Sequence, residues 1–460
     1  MSLAVDGLIS GLDTTSLINS LMELEAGPQT LLKAKVTTSN TFVTALQGLN
    51  ASIASLATLA TKNTVANALD LYSATSSNSS MSTTVSTGAS TGSLDVVVGA
   101  LAQAKSGVTA AMTEFSGTSF TVVGSDGTAI DIQAASISLD DVASAINASS
   151  AGITATKVAS GTNAAGDKQY RLQLVADDTG LNGSFELYQG TSDDVTAGTA
   201  TNVLQATGAA VITQAQDAQV TLWAGTGAAQ SITSSTNTFA DLLPGVAVTV
   251  SKVSTDPVTI TVARDNAAVS DLAKNLVGSL NTVFALISTK SAVVNSTDTS
   301  GNAVVSAGVF SGDSTVRDVK QLILDAASYP VDGRSPSEIG ISITKNGTME
   351  FDADKFAAAM KADPEHVQKV LAEISSRVAA AATSASDKYD GMITGKITGQ
   401  ESLVKSLGTQ IDNWDLRLIS RRSTLERTYA SLEVQLSNMN AQSAWLTAQV
   451  DGLNSANGKR

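Results

Sequence analysis

The sequence has no cysteine and one histidine among its 460 residues. Without cysteine the chain can form no disulfide, no thiolate nucleophile and no cysteine-ligated metal site. The histidine, His366, lies in ADPEHVQKVL, where Asp363 is placed as a helix N-cap and Pro364 at the first helical position. Because no second histidine exists to complete a metal or acid–base cluster, we interpret this stretch as a helix start and not as an active site.

Aromatic residues are also scarce, at 4% of a chain that is 43% hydrophobic. Such a composition is typical of small β-domains and long helices, not of a deep aromatic-lined pocket. The acidic pair Asp352 and Asp354 in FDADKF lacks the glycine and the later glutamate of a calcium loop, so we interpret it as a turn and helix cap. Asp140 and Asp141 stand at the start of a short predicted helix, where the helix dipole favours them. We therefore expect no enzyme activity, no metal and no cofactor.

The N-terminus has no basic region before an apolar core, so we expect no cleaved signal peptide. No apolar run approaches the length of about 20 residues that a membrane span needs, which predicts no membrane insertion. The net charge is −14, and residues 80–262 hold fifteen acidic against five basic side chains. A surface of that sign repels nucleic acid and anionic membrane, so nucleic-acid binding is excluded.

The N-terminal stretch SGLDTTSLINSLMELEAGP, residues 10–28, has the pattern of an amphipathic helix. Asp13 is placed as its N-cap, and Gly27-Pro28 ends or kinks it. Its apolar stripe continues after Pro28 with alternating spacings of four and three residues. The residues that we predict to form this assembly and coiled-coil stripe are Leu12, Leu17, Leu21, Leu24, Phe42, Leu46, Leu49, Ile53 and Leu56.

The C-terminal helix shows the strongest pattern in the sequence, an apolar residue at every seventh position over eight repeats. A sevenfold repeat of that length keeps one face toward a partner when helices supercoil. The companion positions fit at Leu407 and Trp414 and then become polar, so we predict a helix that packs against several neighbours. The predicted contact residues are Val404, Ile411, Trp414, Leu418, Leu425, Leu432, Met439, Leu446 and Leu453.

The middle of the chain, from about residue 79 to 264, is predicted to be β-rich. Runs such as QYRLQLVA, SFELYQG, GVAVTVSKV and PVTITVARD alternate apolar and polar residues between Gly, Asn, Asp or Pro. SFTVVGSDGTAIDIQ predicts a hairpin with its turn at Asp126-Gly127. The polar stretch Ser73 to Gly88 is interpreted as a boundary or an extended connection.

Several of these segments resemble one family in order along the chain. VDGLISGLDTTSLINSLMELEAGPQTLL resembles the opening signature of the flagellar filament cap family, also called hook-associated protein 2. EIGISITKNGTMEFDADKFAAAMKADPEHVQKVL and RRSTLERTYASLEVQLSNMNAQSAWLTAQV are similar to its C-terminal half. SFTVVGSDGTAIDIQAASISLDDVASAINASSAGITATKV resembles the flagellin IN motif of flagellins and cap proteins.

The resemblance implies an α+β multidomain fold, with a helical coiled-coil leg formed by both termini and β-rich head domains. Residues 1–40 are then an N-terminal assembly helix and 403–460 a C-terminal heptad helix, both expected to be disordered in the free protein. The leg is expected at 41–75 with 266–402, including a hairpin near 339–352. One head domain is expected at 80–114 with 210–265, and a second module with the IN motif at 115–209.

The resemblance also implies a function at the tip of the bacterial flagellum, outside the cell. The subunits are expected to form a closed ring of about four to six copies, with a pentamer favoured. That ring retains exported flagellin and promotes its folding and insertion into the filament. The other implied partners are an export chaperone at the C-terminal helix and the hook–filament junction proteins. Export is expected through the flagellar type III apparatus.

Three alternatives remain at this point. A tip adhesin that binds host mucin or other glycans is compatible with the cap function, although the acidic middle region would repel sialylated or sulfated glycans. A flagellin-like filament subunit would have the terminal signatures of flagellins, whereas GLDTTSLINSL follows the cap pattern. A hydrolase would need a metal or nucleophile site in residues 80–262, which have no histidine.

Overall fold

The computed structural model describes residues 13–86, 88–297 and 299–457, without the side chains of 453–457. The chain divides into two compact units, residues 1–69 with 270–460 and residues 70–269. We call them the helical unit and the β-rich unit. The predicted α+β class with both termini in one helical part is confirmed, although Leu12 and the side chain of Leu453 lie outside the described residues.

The helices of the described residues are α1 (Thr14–Glu25), α2 (Gly27–Lys62), α3 (Leu139–Ala148), α4 (Ser192–Ala197), α5 (Asn266–Ser291), α6 (Ser314–Ser328), α7 (Ala353–Ala362), α8 (Pro364–Ser386) and α9 (Met392–Asn457). The strands are β1 (Tyr72–Ser76), β2 (Met81–Val85), β3 (Gly92–Ala100), β4 (Ser106–Val108), β5 (Ser119–Gly124), β6 (Ala129–Gln133), β7 (Ile153–Thr162), β8 (Lys168–Ala176), β9 (Phe185–Gln189), β10 (Thr201–Asn202), β11 (Ala210–Thr213), β12 (Ala218–Leu222), β13 (Gln230–Ser234), β14 (Thr238–Leu243), β15 (Val246–Val250), β16 (Val258–Arg264), β17 (Val293–Thr297), β18 (Ala303–Ala307), β19 (Ile341–Ile343) and β20 (Met349–Phe351).

The β-rich unit contains two hydrophobic cores, each enclosed by antiparallel sheets. The five-stranded sheet β1-β16-β3-β12-β13 and the three-stranded sheet β14-β15-β2 share one core, built from their alternating inward residues such as Val96, Val248 and Ile260. The four-stranded sheets β10-β9-β5-β6 and β11-β4-β8-β7 enclose the second core together with α3. Aliphatic side chains make up most of both cores.

The helical unit is built around α2, which packs against α8 and α9. Leu46, Leu49, Ile53 and Leu56 recur on one face of α2 and are fully buried there. By length and apolarity α2 could span a membrane, but burial of that face against α8 and α9 makes it the core helix of this unit. Phe310 adds an edge-on contact to the Phe42 ring, with ring centroids 6.0 Å apart.

Polar side chains start the helices where the sequence predicted. Asp13 accepts a hydrogen bond from the N–H of Ser16 at 2.8 Å and starts α1. Asp352 caps α7 through the N–H of Lys355 at 2.9 Å, and Asp363 caps α8 through the N–H of His366 at 3.1 Å. The three carboxylates therefore satisfy first-turn donors that would otherwise lack partners, and the interpretation of His366 as part of a helix start is confirmed.

Two segments differ from the sequence prediction. Within the stretch from Ser73 to Gly88, residues 73–76 belong to β1 and residues 81–85 form β2, so these parts are not an extended connection. Met81 is buried in the core, and β2 pairs with β15. The Ser and Thr residues of this stretch alternate with the inward positions and so conceal a strand pattern. The hairpin of β17 and β18 was not predicted, since every residue of both strands is exposed and no apolar alternation marks them.

Candidate assembly surface

The candidate assembly surface is formed by α1, the start of α2 and α9. Backbone hydrogen bonds continue from α1 through Ala26 into α2. The N–H of Ala26 bonds to the carbonyl of Met22 at 2.9 Å, and the carbonyl of Ala26 accepts from the N–H of Thr30 at 3.0 Å. Pro28 has no N–H to offer the carbonyl of Leu24, so the helix loses one i to i−4 bond there. The predicted Gly27-Pro28 break is thus a kink between two nearly continuous helices.

Three polar contacts fix α1 and the start of α2 against α9. Arg422 donates to Asn19 Oδ1 at 2.9 Å, and the Arg421 guanidinium lies 3.5 Å from Glu25 Oε1. Gln29 donates to Asp415 Oδ1 at 2.6 Å. The partners on α9 fall from 422 to 415 as those on α1 and α2 rise from 19 to 29, so the helices run antiparallel.

A groove of about 310 Å³ lies within this contact, lined by apolar side chains and by the ion pair of Glu25 with Arg421. Leu21, Leu24 and Pro28 line one side, and Trp414 and Leu425 line the other. Leu21, Trp414 and Leu425 are half-buried, whereas Leu24 remains 80% exposed. The groove is therefore only partly filled by the chain's own side chains.

The predicted contact residues separate into three groups along the helices. Leu46, Leu49, Ile53 and Leu56 lie in the core and cannot meet another subunit without unfolding. The half-buried group forms the contacts of α1 and α2 with α9, and consists of Leu21, Phe42, Val404, Ile411, Trp414, Leu418 and Leu425. The exposed group consists of Leu17, Leu24, Leu432, Met439 and Leu446.

The sevenfold stripe of α9 is half-buried up to Leu425 and exposed after it. Up to that residue the stripe packs against α1 and α2, while Leu432, Met439 and Leu446 are 46%, 57% and 57% exposed. α9 continues to Asn457, so about 48 Å of helix follows Leu425 at 1.5 Å per residue. Among the described residues no element covers this part of the stripe.

Several residues of the surface were not identified from the sequence. Ile18 is the buried residue of α1, and its position three before Leu21 could have shown it. Gln29 is buried through its bond to Asp415, which no sequence pattern marks. Trp445 is 64% exposed, so its large side chain is not packed within this chain.

Electrostatic contacts tie α9 to the rest of the helical unit near its start. Lys396 on α9 lies 2.9 Å from the carboxylate of Asp313, which also caps α6 through the N–H of Val316. Burial of Asp313 opposes its ionisation, but the ammonium of Lys396 and the N–H of Val316 outweigh it and hold the pKa below the usual value. The ionised carboxylate therefore joins α6 and α9.

The described residues contain no group of three or more His, Cys, Asp or Glu side chains placed to hold a metal ion. The surface supplies apolar side chains, amides and exposed ion pairs along two antiparallel helices, which is the chemistry of helix–helix docking.

Comparison with known proteins agrees with this arrangement. The sequence model described as flagellar hook-associated protein 2 N-terminus matches residues 10–105, and that of its C-terminus matches 215–441. Flagellar hook-associated protein 2 of Escherichia coli O157:H7 is 27% identical over 476 residues, which cover 98% of each chain. The A-type flagellar hook-associated protein 2 of Pseudomonas aeruginosa is 24% identical over 98% of each chain.

The fold has a solved counterpart. The D1–D2–D3 domains of the flagellar cap protein FliD from Escherichia coli superpose with a TM-score of 0.58 at 24% identity. The likeness covers 77% of this chain and 99% of that chain.

Proposed function

Since this chain belongs to the flagellar hook-associated protein 2 family, the family of flagellar cap proteins, we propose that it caps the distal end of the flagellar filament. In this function a ring of subunits retains exported flagellin and promotes its folding and insertion into the growing filament. The site of action is outside the cell, at the filament tip. The family has a structural function and is not a known family of enzymes.

The observation that supports this proposal is the change in the stripe of α9 after Leu425. One half of a continuous apolar stripe docks on the chain's own α1 and α2, and the other half presents Leu432, Met439 and Leu446 to solvent. An apolar helix face of this kind is a helix-in-groove ligand for another protein. A subunit that must join a helical filament needs such a face free until it assembles.

The partners follow from the same proposal. Other copies of the chain form the ring, about four to six in number with a pentamer favoured. Flagellin and the hook–filament junction proteins meet the leg, and an export chaperone binds the C-terminal helix before export. The acidic β-rich unit gives no specific support to mucin binding, which is therefore left as an outcome of the experiment.

The experiment is complementation of a strain that lacks this gene. We expect bare hooks on the cells and flagellin in the medium without the gene, and normal filaments when the full chain is restored. A chain without residues 1–40, and the double variant Leu425→Glu with Leu432→Glu, should leave the β-rich unit folded but fail to restore filaments.

Immunoblots of secreted flagellin and electron microscopy of the cells give the result. Normal filaments without the gene, with loss of attachment to mucin, would overturn the cap function and favour an adhesin. Normal filaments from the double variant would show that the stripe of α9 is not the assembly surface.

A further inference from the structure

The hairpin of β17 and β18 in the helical unit is exposed along both of its strands. Among the described residues no third strand pairs with either outer edge of this hairpin. Neither strand contains the Lys or Pro that protects natural edges from pairing. A hairpin of two strands is marginally stable alone, and a third strand stabilises it. Its exposed apolar side chains include Val293, Val294, Val304 and Val305.

A cleft of about 440 Å³ lies at the base of this hairpin. Ala292, which directly precedes β17, lines the cleft, and so do residues 310–313, which follow β18. The N–H of Phe310 donates to the carbonyl of Lys290 at 2.8 Å and so joins the chain after β18 to the end of α5. The buried side chains that line the cleft are Ile287, Phe310 and Val316.

The other lining side chains of the cleft are mostly hydrogen-bond donors that have no partner in the described part of the chain. Arg317 and Lys320 form no ion pair with a described carboxylate. Lys320 lies 5.9 Å from the centroid of the Phe284 ring, a contact that uses none of its N–H donors. Asp313 also lines the cleft, but the ammonium of Lys396, 2.9 Å away, offsets its charge. The hydroxyls that make no hydrogen bond to a described residue are those of Ser288, Ser291 and Ser311.

We propose that the hairpin and the cleft together bind an extended, acidic segment of another protein. The segment adds a third strand to the hairpin through main-chain hydrogen bonds, and its apolar side chains pack beside the exposed valines. One of its carboxylates enters the cleft and accepts hydrogen bonds from Arg317, Lys320 and the serine hydroxyls. This binding goes beyond the proposed cap function and does not depend on it.

Charge favours an acidic peptide over the other occupants of this surface. A second copy of the hairpin could pair with the free edges, but its strands, VVNST and AVVSA, contain no acidic residue to place in the cleft. An inorganic anion would meet the cations and leave both edges of the hairpin unpaired. One extended acidic peptide satisfies the backbone groups of the edge and the donors of the cleft together.

Fluorescence anisotropy with the full-length protein measures this binding. The probe is a short fluorescein-labelled peptide of alternating Thr and Val with a Glu at each end, and its control has Gln at each end. We expect the Glu probe to bind about fivefold or more tightly than the Gln control, because a carboxylate meets two cations. Two further Glu probes are N-methylated, one on its Thr and one on its Val residues. One of the two should lose binding, since its pairing edge can no longer donate.

The double variant Arg317→Gln with Lys320→Gln tests the cleft. It removes both cations, so the preference for the Glu probe should disappear while the Gln control binds as before. Lys274→Gln with Lys361→Gln is the matched control, because it removes two exposed cations of the same unit that do not line the cleft. The preference for the Glu probe should survive in this control.

Replacement of residues 293–307 by Gly-Gly tests the hairpin. The ends that it joins are close, since a Cβ on Gly308 would lie 2.8 Å from the carbonyl oxygen of Ala292. Binding of both probes should be lost, and the melting temperature should not change because every residue of the two strands is exposed.

Several outcomes would overturn the inference. Equal binding of the Glu probe and the Gln control, or a preference that survives Arg317→Gln with Lys320→Gln, would exclude the cleft as a carboxylate site, and so would a preference that the matched control also loses. Undiminished binding by both N-methylated probes would exclude strand addition. Self-association of the wild type that disappears with the hairpin, without binding of any probe, would assign the hairpin to a second copy of the chain.

Discussion

A glutamate at residue 439 should separate assembly from folding. Met439 is 57% exposed, so the folded chain already leaves more than half of this side chain in water. The substitution Met439→Glu should therefore change the free energy of unfolding by no more than about 0.5 kcal/mol. The same substitution places a charge in the centre of the exposed stripe of α9.

The effect of this substitution on the free energy of assembly follows from the side-chain area that is still exposed in the folded chain. Full burial of a Leu or Met side chain contributes about 1.5–3 kcal/mol. Burial of the parts of Leu432, Met439 and Leu446 that are still exposed would therefore contribute about 2.5–5 kcal/mol together. An unpaired carboxylate there removes one contribution and adds a desolvation cost. We expect assembly to weaken at least about tenfold, which corresponds to 1.4 kcal/mol.

Urea denaturation followed by circular dichroism measures folding, and filament length in the complemented strain measures assembly. Ala441→Glu adds the same charge at an exposed position about 200° around α9 from Met439 and should leave both unchanged. Leu49→Ala removes a fully buried side chain and should lower the free energy of unfolding by about 2–5 kcal/mol. If Met439→Glu destabilised the fold as much as Leu49→Ala, or left filaments normal, the exposed stripe would not be an assembly surface.

Three further predictions concern folding within each unit. Lys105→Met should lower the stability of the β-rich unit by about 2–4 kcal/mol in urea denaturation, since the buried ammonium donates to the Phe185 carbonyl at 2.6 Å and to Glu186 at 2.7 Å. Lys157→Met, which breaks the more exposed ion pair with Asp140, should lower the stability by less than about 1 kcal/mol. Equal losses of stability in the two variants would contradict this account. Burial of Glu186 opposes ionisation, but Lys105 and Asn202 outweigh it and hold the pKa of Glu186 below its usual value. This carboxylate therefore stabilises the fold above its unfolded-state pKa and ceases to do so as the pH falls through its folded-state pKa. The urea midpoint of Glu186→Gln should fall less at acid pH than that of the wild type, and parallel dependences of the two midpoints on pH would refute the assignment. Gly308→Ala should destabilise the helical unit by about 1–3 kcal/mol, because the new Cβ would lie 2.3 Å from the Lys290 carbonyl oxygen. Gly278→Ala, in open space on α5, should instead raise the melting temperature. A melting temperature that is unchanged by Gly308→Ala would refute the steric argument.

The sequence predicted helices well where one periodicity extended over many turns. The recurrences at Leu46, Leu49 and Leu418 have one cause, a face that stays in contact with neighbours, and the structure shows that face in α2 and α9. Helix starts at Asp352 and Asp363 were also predictable, because an N-cap is a local interaction between a side chain and backbone donors a few residues away.

The sequence could not show which parts of these helix faces are buried, because burial depends on contacts between residues that are distant in sequence. Periodicity alone could not show that Leu49 is buried while Met439 is exposed, because both occupy equivalent positions of a stripe. Leu49 is buried because α2 packs against α8 and α9, whereas no described element covers Met439, and this difference is a property of tertiary packing. The bond from Gln29 to Asp415 spans 386 residues and has no local signal.

The proline after the first helix has a mechanical consequence. Because Pro28 has no N–H, one backbone hydrogen bond of about 1 kcal/mol is missing next to Ala26 and Gly27, so bending is less costly at this joint than elsewhere along α1 and α2. A pivot here turns α1 while Leu46, Leu49 and Ile53 stay locked in the core. If the subunits form the proposed ring, copies with one sequence can meet unlike neighbours on the filament by adjusting this single joint in each copy.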